Sequence, residues 1–261
     1  MISGSANLVI ITVHRGPIIS LKKTLQSIDS QILAPHHNIV VASRTSLYRT
    51  NYLKKKNRTF VINKDKSIYN AMNIALRDKI IKNNYIIFLN SGDVFLNKRS
   101  IFNIKKYFLL KKIVIGSVIL NLDNDYYQIR KYFFLKKNHS PHGSFFCHSS
   151  LLNSSIKENF FNEKHLIDAD GLWMSRIIKN NKKKLIKIYE SISIHSLGGI
   201  STSPSIKTIS HYFKINLILC LKEFLKFIVK LLLSKKFYFR VIYFAKYKYK
   251  KKCSHEKYIC V

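Results

Sequence analysis

Tyr85-Ile-Ile-Phe-Leu-Asn-Ser-Gly-Asp93 runs through five apolar or aromatic residues and then turns polar without transition. The run Tyr85 to Leu89 predicts a central strand covered on both faces. The close, Asn90-Ser91-Gly92-Asp93, sets a carboxylate at the strand's carboxyl end. In an open α/β sheet, ligands bind in the crevice beyond those ends. An acid there is placed to hold a hard cation that bridges a substrate phosphate. The plainer reading is an Asp completing a Ser-Gly turn.

Upstream, Leu8 to Val13 reads as a buried first strand. A helix follows from Ile18, with Leu21, Leu25, Ile28 and Ile32 at helical spacing. Asn38 to Ala42 and Thr59 to Ile62 are two further β-rich runs. Ile68, Ala71, Met72, Ala75, Leu76 and Ile80 form one apolar helical stripe. This order predicts parallel strands joined by helical crossovers. Downstream, Ile113 to Ile119 and Tyr126 to Ile129 read as strands, paired as a hairpin around Asp123-Asn-Asp125. Phe160 to Lys179 reads as a loop leading into a helix, and Ile192 to His195 as a last short strand. Gly198 and Gly199 mark a loop whose backbone can approach a ligand.

The 261 residues suffice for one large domain with an appendage. With 46 Lys and Arg against 13 Asp and Glu, the formal charge of +33 calls for an anionic partner. Nucleic acid, an anionic membrane and a phosphorylated substrate all qualify. Cys147, Cys220, Cys253 and Cys260 lack CxxC and metal-ligand spacing and read as free thiols in a reducing compartment. Met1 to Asn7 lacks the charged and apolar regions of a signal peptide. The expected location is the cytoplasm.

The composition shifts at about Ser205. Lys214, Lys222, Lys226 and Lys230 fall at multiples of four among leucines, isoleucines and phenylalanines. Lys235 to Lys252 interleaves bases with tyrosine and phenylalanine and contains no acid. This predicts a basic amphipathic extension that lies on an anionic membrane surface. The alternative is a helix packed on the preceding domain with a solvated lysine edge.

Several segments together resemble the family 2 glycosyltransferases, most nearly the small bacterial enzymes of the colanic-acid type that build surface polysaccharides. The resemblance covers about Asn7 to Ser201. Asp65-Lys-Ser-Ile-Tyr-Asn-Ala-Met-Asn73 is similar to that family's Asp-Lys-Gly-Ile-Tyr-Asp-Ala-Met-Asn, with the Phe-Leu-Asn-Ser-Gly-Asp strand end following. Pro141-His142-Gly-Ser-Phe-Phe146 resembles its His-Gln-Ser-Phe-Phe stretch. Phe161 to Asp170 resembles the segment ending in the acceptor-side Asp, and Leu197-Gly-Gly-Ile-Ser201 the closing Gly-Gly loop.

The resemblance implies an α/β GT-A fold with a mostly parallel central sheet flanked by helices, spanning 1–204 and followed by the 205–261 extension. It implies a nucleotide-diphosphate sugar donor, a glycan or lipid-linked acceptor, a divalent ion (Mn or Mg) and inversion at the anomeric carbon. Asp93 becomes the metal ligand, since a metal neutralises the leaving diphosphate. Asp170 becomes the general base that takes the acceptor's proton, with Asp168 as its rival. Either acid also suits a helix N-cap. Thr12, His14, Arg44, Asp65, Asn73 and Ser91 fall on the donor side; Asp65 is equally placed to cap the Ile68 helix. His142 and His195 are either ligands or hydrogen-bonded structural residues.

The chain departs from the family on the donor side. Val41-Ala42-Ser-Arg-Thr-Ser-Leu47 lacks both acids expected after the second strand, and Ala42 cannot accept a hydrogen bond from a base. Arg44 is placed to meet phosphate instead. Thr12-Val-His-Arg15 replaces Thr-x-x-Asn, Asn70 stands for Asp, and Gly143 for Gln. Two other readings stay open: an inactive, membrane-bound scaffold, and a nucleic-acid-binding protein, which no recognisable nucleic-acid motif supports.

Overall fold

A computed structural model describes residues 7–43, 54–64, 67–108, 111–121, 127–130, 141–152, 160–165, 167–196, 204–214, 216–234, 237, 238 and 241. Strand β1 (Leu8–His14) is buried along its whole length and leads into α1 (Ile18–Asp29), β2 (His37–Ala42) and β3 (Arg58–Ile62). Helix α2 (Ile68–Leu76) returns to β4 (Tyr85–Phe88). Strands β3, β2, β1 and β4 lie in that order, all parallel. The remaining strands are β5 (Val94–Phe95), β6 (Ile113–Asn121), β7 (Tyr127–Arg130), β8 (Phe145–His148) and β9 (Leu185–Ser196). Beyond β4 the sheet continues β8-β6-β9-β5, with β7 also on β6; β6 and β9 pair in parallel and the other contacts are antiparallel.

Period-two alternation divides the core between the two faces of this sheet. Val9, Ile11, Val13, Ile86 and Phe88 pack with Met72 and Ala75 of α2 and with Trp173 and Ile177 of α4 (Ala169–Asn180). Leu8, Ile10, Tyr85, Ile87 and Leu89 pack with Leu21 and Leu25 of α1 and with Ile101 and Ile104 of α3 (Ser100–Lys105). A continuous apolar strand is what burial on both faces demands, so β1 and β4 are legible in the sequence.

Several boundaries differ from expectation. Helix α1 stops at Asp29, and Ile32 is 63% exposed beyond it. Asp29 accepts from Arg58 at 2.6 Å and from Lys55 at 3.1 Å, a partnership its sequence surroundings did not announce. Helix α2 stops at Leu76, and Ile80 lies in a separate 3-10 turn whose entrance Asp78 caps by accepting from the Ile80 N–H. Ser67 caps α2 through its hydroxyl, which accepts from the Asn70 N–H, so capping by Asp65 is not needed. Strand β9 runs for 12 residues because it pairs with β6 on both sides of a register shift; Lys187 and Glu190 hide its first half from a search for apolar runs. Strand β8 was not anticipated as a strand. The turn at 122–126 lies outside the described residues, although β6 and β7 pair antiparallel up to Asn121 and Tyr127.

Between Ile115 and Val118 the β6–β9 register shifts in two steps. Gly116 sits in this irregularity. A Cβ there would fall 2.6 Å from Ile192 Cγ1 and 3.1 Å from the Glu190 carbonyl oxygen. Gly116→Ala is therefore expected to destabilise the chain by about 1–3 kcal/mol through overpacking, read as a lower urea midpoint with unchanged slope.

Candidate functional site

The turn after β4 is built around two constraints. Gly92 has φ of +103°, a conformation that needs the absence of a Cβ. Thr24, buried on α1, accepts from the Gly92 N–H at 2.9 Å and donates to the Asp93 carbonyl at 2.8 Å. This hydroxyl latch fixes the turn and was not visible as a motif.

Asp93 is thereby held at the carboxyl end of the parallel strands, buried. Its Oδ1 accepts from the Ser196 N–H at 2.9 Å, and its Oδ2 lies 3.0 Å from His195 Nδ1 and 3.6 Å from His142 Nε2. Burial would raise its pKa. The charge of His195 and the hydrogen bonds to both imidazoles outweigh that and hold the carboxyl well below the usual range.

Asp170 lies in the first turn of α4, and its side chain is 29% exposed. His142 Nδ1 is 3.3 Å from Asp170 Oδ2, and Tyr69 donates to Asp170 Oδ1 at 3.3 Å. One imidazole therefore stands between the two carboxylates, touching each through a different nitrogen. Burial would depress the His142 pKa, but the bonds to Asp170 and Asp93 prevail and raise it to about 9. Asp170 is held below its ordinary range: burial opposes this, and the His142 hydrogen bond and charge lead the effects that overcome it. Asn90 Nδ2 faces His142 Nε2 at 3.1 Å while Asn90 Oδ1 has no partner among the described residues. With the ends of that amide exchanged, Oδ1 accepts from a protonated ring.

His142 reaches this place because Gly143 lets the backbone close on β9. The Ser193 hydroxyl donates to the Gly143 carbonyl at 2.7 Å, and a Cβ on Gly143 would lie 2.9 Å from that same hydroxyl. Asp93, His142 and His195 offer one carboxylate and two imidazoles whose ligating atoms lie within 4.8 Å of one another. That donor set fits a divalent first-row ion; imidazole suits transition metals, whereas magnesium prefers oxygen.

The other expected residues are placed as follows. His14 Nδ1 lies 2.9 Å from the Ser91 hydroxyl, joining the end of β1 to the Asp93 turn; burial keeps this imidazole's pKa low. His14 Nε2 is buried with no partner among the described residues. Thr12 was expected at the donor, but it is fully buried and its hydroxyl accepts from Asn38 Nδ2 within the sheet. Asn73 was expected there too. It instead clamps the loop before α4, accepting from the Phe161 N–H and donating to the Phe161 carbonyl and to Glu163. Both protons of its amide nitrogen are thereby committed, so this buried side chain has no donor left for a sugar. Asp168 accepts from the Tyr212 hydroxyl at 2.7 Å rather than joining the Asp170 cluster. It occupies the N-cap position of α4 with φ of +68° and makes no side-chain capping bond. Arg44, Asp65, Gly198 and Gly199 lie outside the described residues.

The fold matches a class of known structures. The chain has the α/β fold of GT-A glycosyltransferases, a sheet flanked by helices. The S. aureus TarS 1–349 complex with UDP-GlcNAc superposes with a TM-score of 0.61 at 14% identity, over 83% of this chain and 66% of that one. The corresponding complex with UDP gives 0.55 at 11% identity, over 74% and 61%. The mannosyltransferase PcManGT from Pyrobaculum calidifontis, in complex with GDP-Man and Mn2+, gives 0.54 at 14% identity, over 80% and 62%. The chain thus spans less than two thirds of the length of these proteins. Comparison of the sequence with protein-family models and with curated proteins returns no match.

Two measurements follow from this geometry. With a folded pKa of about 9 against an ordinary 6.5, His142 contributes stability that is fully present below pH 6.5 and lost as pH rises through about 9. Urea midpoints should decline across that window, and the decline should vanish in His142→Gln. Separately, electron paramagnetic resonance titration should show Mn2+ binding at least about tenfold tighter than competing Mg2+, and His195→Ala should remove that preference.

Proposed function

We propose that the chain is a glycosyltransferase that moves a sugar from a nucleoside-diphosphate carrier to a glycan or lipid-linked acceptor, with inversion. The observation that carries this reading is the His142 imidazole spanning Asp93 and Asp170. It brings a cation-binding carboxylate and a candidate base into one site at the carboxyl end of β4. The nucleotide sugars in the TarS and PcManGT structures, and the Mn2+ in the latter, support the same reading.

In the proposed reaction the acceptor hydroxyl gives its proton to Asp170 while its oxygen attacks the anomeric carbon. The bond from that carbon to the phosphate oxygen breaks, and the nucleoside diphosphate leaves with the electron pair. Asp93, His142 and His195 would hold a divalent ion, whose chemistry is to neutralise charge on the departing diphosphate. Asp170 is suited to its role because it stays ionised and partly open to solvent, and Tyr69 orients it. His14 and Ser91 would border the donor. Arg44 and Asp65 are kept as proposed donor contacts, and Gly198 and Gly199 as proposed residues whose backbone can approach a ligand. Ala42 ends β2 without a hydrogen-bonding side chain, so base recognition must come from elsewhere.

Within this reading, the segment likeness supports a place in surface-polysaccharide biosynthesis. Residues 1–204 would form the transferase domain, and 205–261 would keep it peripheral on the inner face of the cytoplasmic membrane. Asp93→Ala and Asp170→Asn are each expected to lower transfer by about 10²–10⁴-fold. Circular dichroism should stay native, and Asp93→Ala alone should abolish Mn2+-dependent thermal stabilisation by nucleoside diphosphates. Transfer that persists in both variants sinks the assignment.

A further inference from the structure

Helix α5 (Ile206–Phe213) begins with a capping box between Ser205 and Thr208, and α6 (Leu217–Leu232) begins at the Asn216 side-chain cap. The two pack on each other as a hairpin. The way α6 is turned is the reverse of an ordinary surface helix. Lys226 pairs with Glu223, and Lys230 Nζ donates to the Pro204 carbonyl at 3.1 Å, all three side chains partly buried against the protein. Cys220 is the buried residue of the helix. Leu217, Ile218, Leu221, Phe224, Leu225 and Leu232 point outward, with exposures from 46% to 76%. Of the three lysines within α6, only Lys222 is exposed, while Lys226 and Lys230 are partly buried and the leucines face out.

An exposed apolar face of this extent marks an interaction surface. We propose that the outward face of α6 docks in the interfacial layer of an anionic bilayer. Charge selects this occupant. Lys214 and Lys222 are exposed beside the apolar face, and the sequence beyond it is rich in lysine and tyrosine up to Lys252. A second copy would bring another +33 chain against the first, whereas anionic headgroups neutralise these bases at about 1 kcal/mol each. No described helix is long and apolar enough to cross a membrane, so α6 would lie along the surface.

The hairpin is tied to the candidate site. Tyr212 of α5 donates to Asp168, two residues before Asp170. Docking through α6 would therefore tether the Asp170 side of the site near the lipid, which favours an acceptor carried by the bilayer. That last step rests on the glycosyltransferase reading; the docking itself does not.

The test uses the full chain with vesicles of phosphatidylcholine alone or mixed equally with phosphatidylglycerol. The unmodified chain should co-float with the anionic vesicles at least about tenfold better than with the neutral ones, and high salt should abolish the difference. Leu221→Ser/Phe224→Ser/Leu225→Ser removes apolar groups that already face solvent and should keep the fold. It should reduce partitioning by at least about 100-fold. Equal binding to both vesicle types, or partitioning unchanged in the triple variant, overturns the proposal. So does absence of vesicle binding together with a dimer, seen by sedimentation, that the triple variant dissolves; that result assigns the face to a second copy. Nucleoside-diphosphate binding measured on the same samples separates the two readings. Nucleotide binding without flotation sinks only the docking, and flotation without nucleotide binding sinks only the transferase.

Discussion

A carboxylate with almost no access to water has to be surrounded by donors, and Asp93 shows what that requirement imposes. Its partners come from His142, His195 and the Ser196 backbone, which lie far along the chain. Joining β4 to the end of β9 and to the segment entering β8 is therefore a condition of burying this one group. The mixed half of the sheet, β8-β6-β9-β5, exists in the position that satisfies it. The same group that would bind a cation thus organises the meeting of the two halves of the sheet.

Positioning is inherited from residues that touch nothing reactive. Thr24 bolts the Gly92–Asp93 turn to α1, Asn73 bolts the 161–163 loop to α2, and Gly143 lets Ser193 bolt the His142 turn to β9. Each uses a polar group whose hydrogen bonds are buried. Such bonds contribute little net energy but are costly to leave broken, so they select one geometry rather than add much stability.

The parts legible in the sequence were those with a strong local period. Strands β1 and β4 read as uninterrupted apolar runs, and α2 as a stripe, because burial on two faces or on one leaves those signatures. Asp93 was legible from its place at the end of an apolar strand, Asp170 and His142 from segment likeness, and His195 as a lone histidine at a strand end; the structure gathers all four. Likeness alone did not separate residues at the site from residues that brace it: Asn73 and Thr12 lie in matching segments yet spend their hydrogen bonds internally. Thr24 carried no signal, since its partners are more than 60 residues away and threonine is unremarkable in a helix. Strand β8 and the first half of β9 were obscured by serine, histidine and lysine. The α6 pattern showed two faces, but periodicity cannot say which of them points inward.

The bulge at Gly116 also acts as a ruler. From Ile113 to Val118 strand β6 advances five positions while β9 advances eight, from Leu185 to Ser193. The surplus residues are what bring Ser193 level with Gly143, and His195 and Ser196 level with Asp93. A one-residue deletion anywhere along that stretch would drag all three out of alignment while leaving every one of them in the chain. Such an indel would pass for a defect in chemistry although its origin lies in strand pairing.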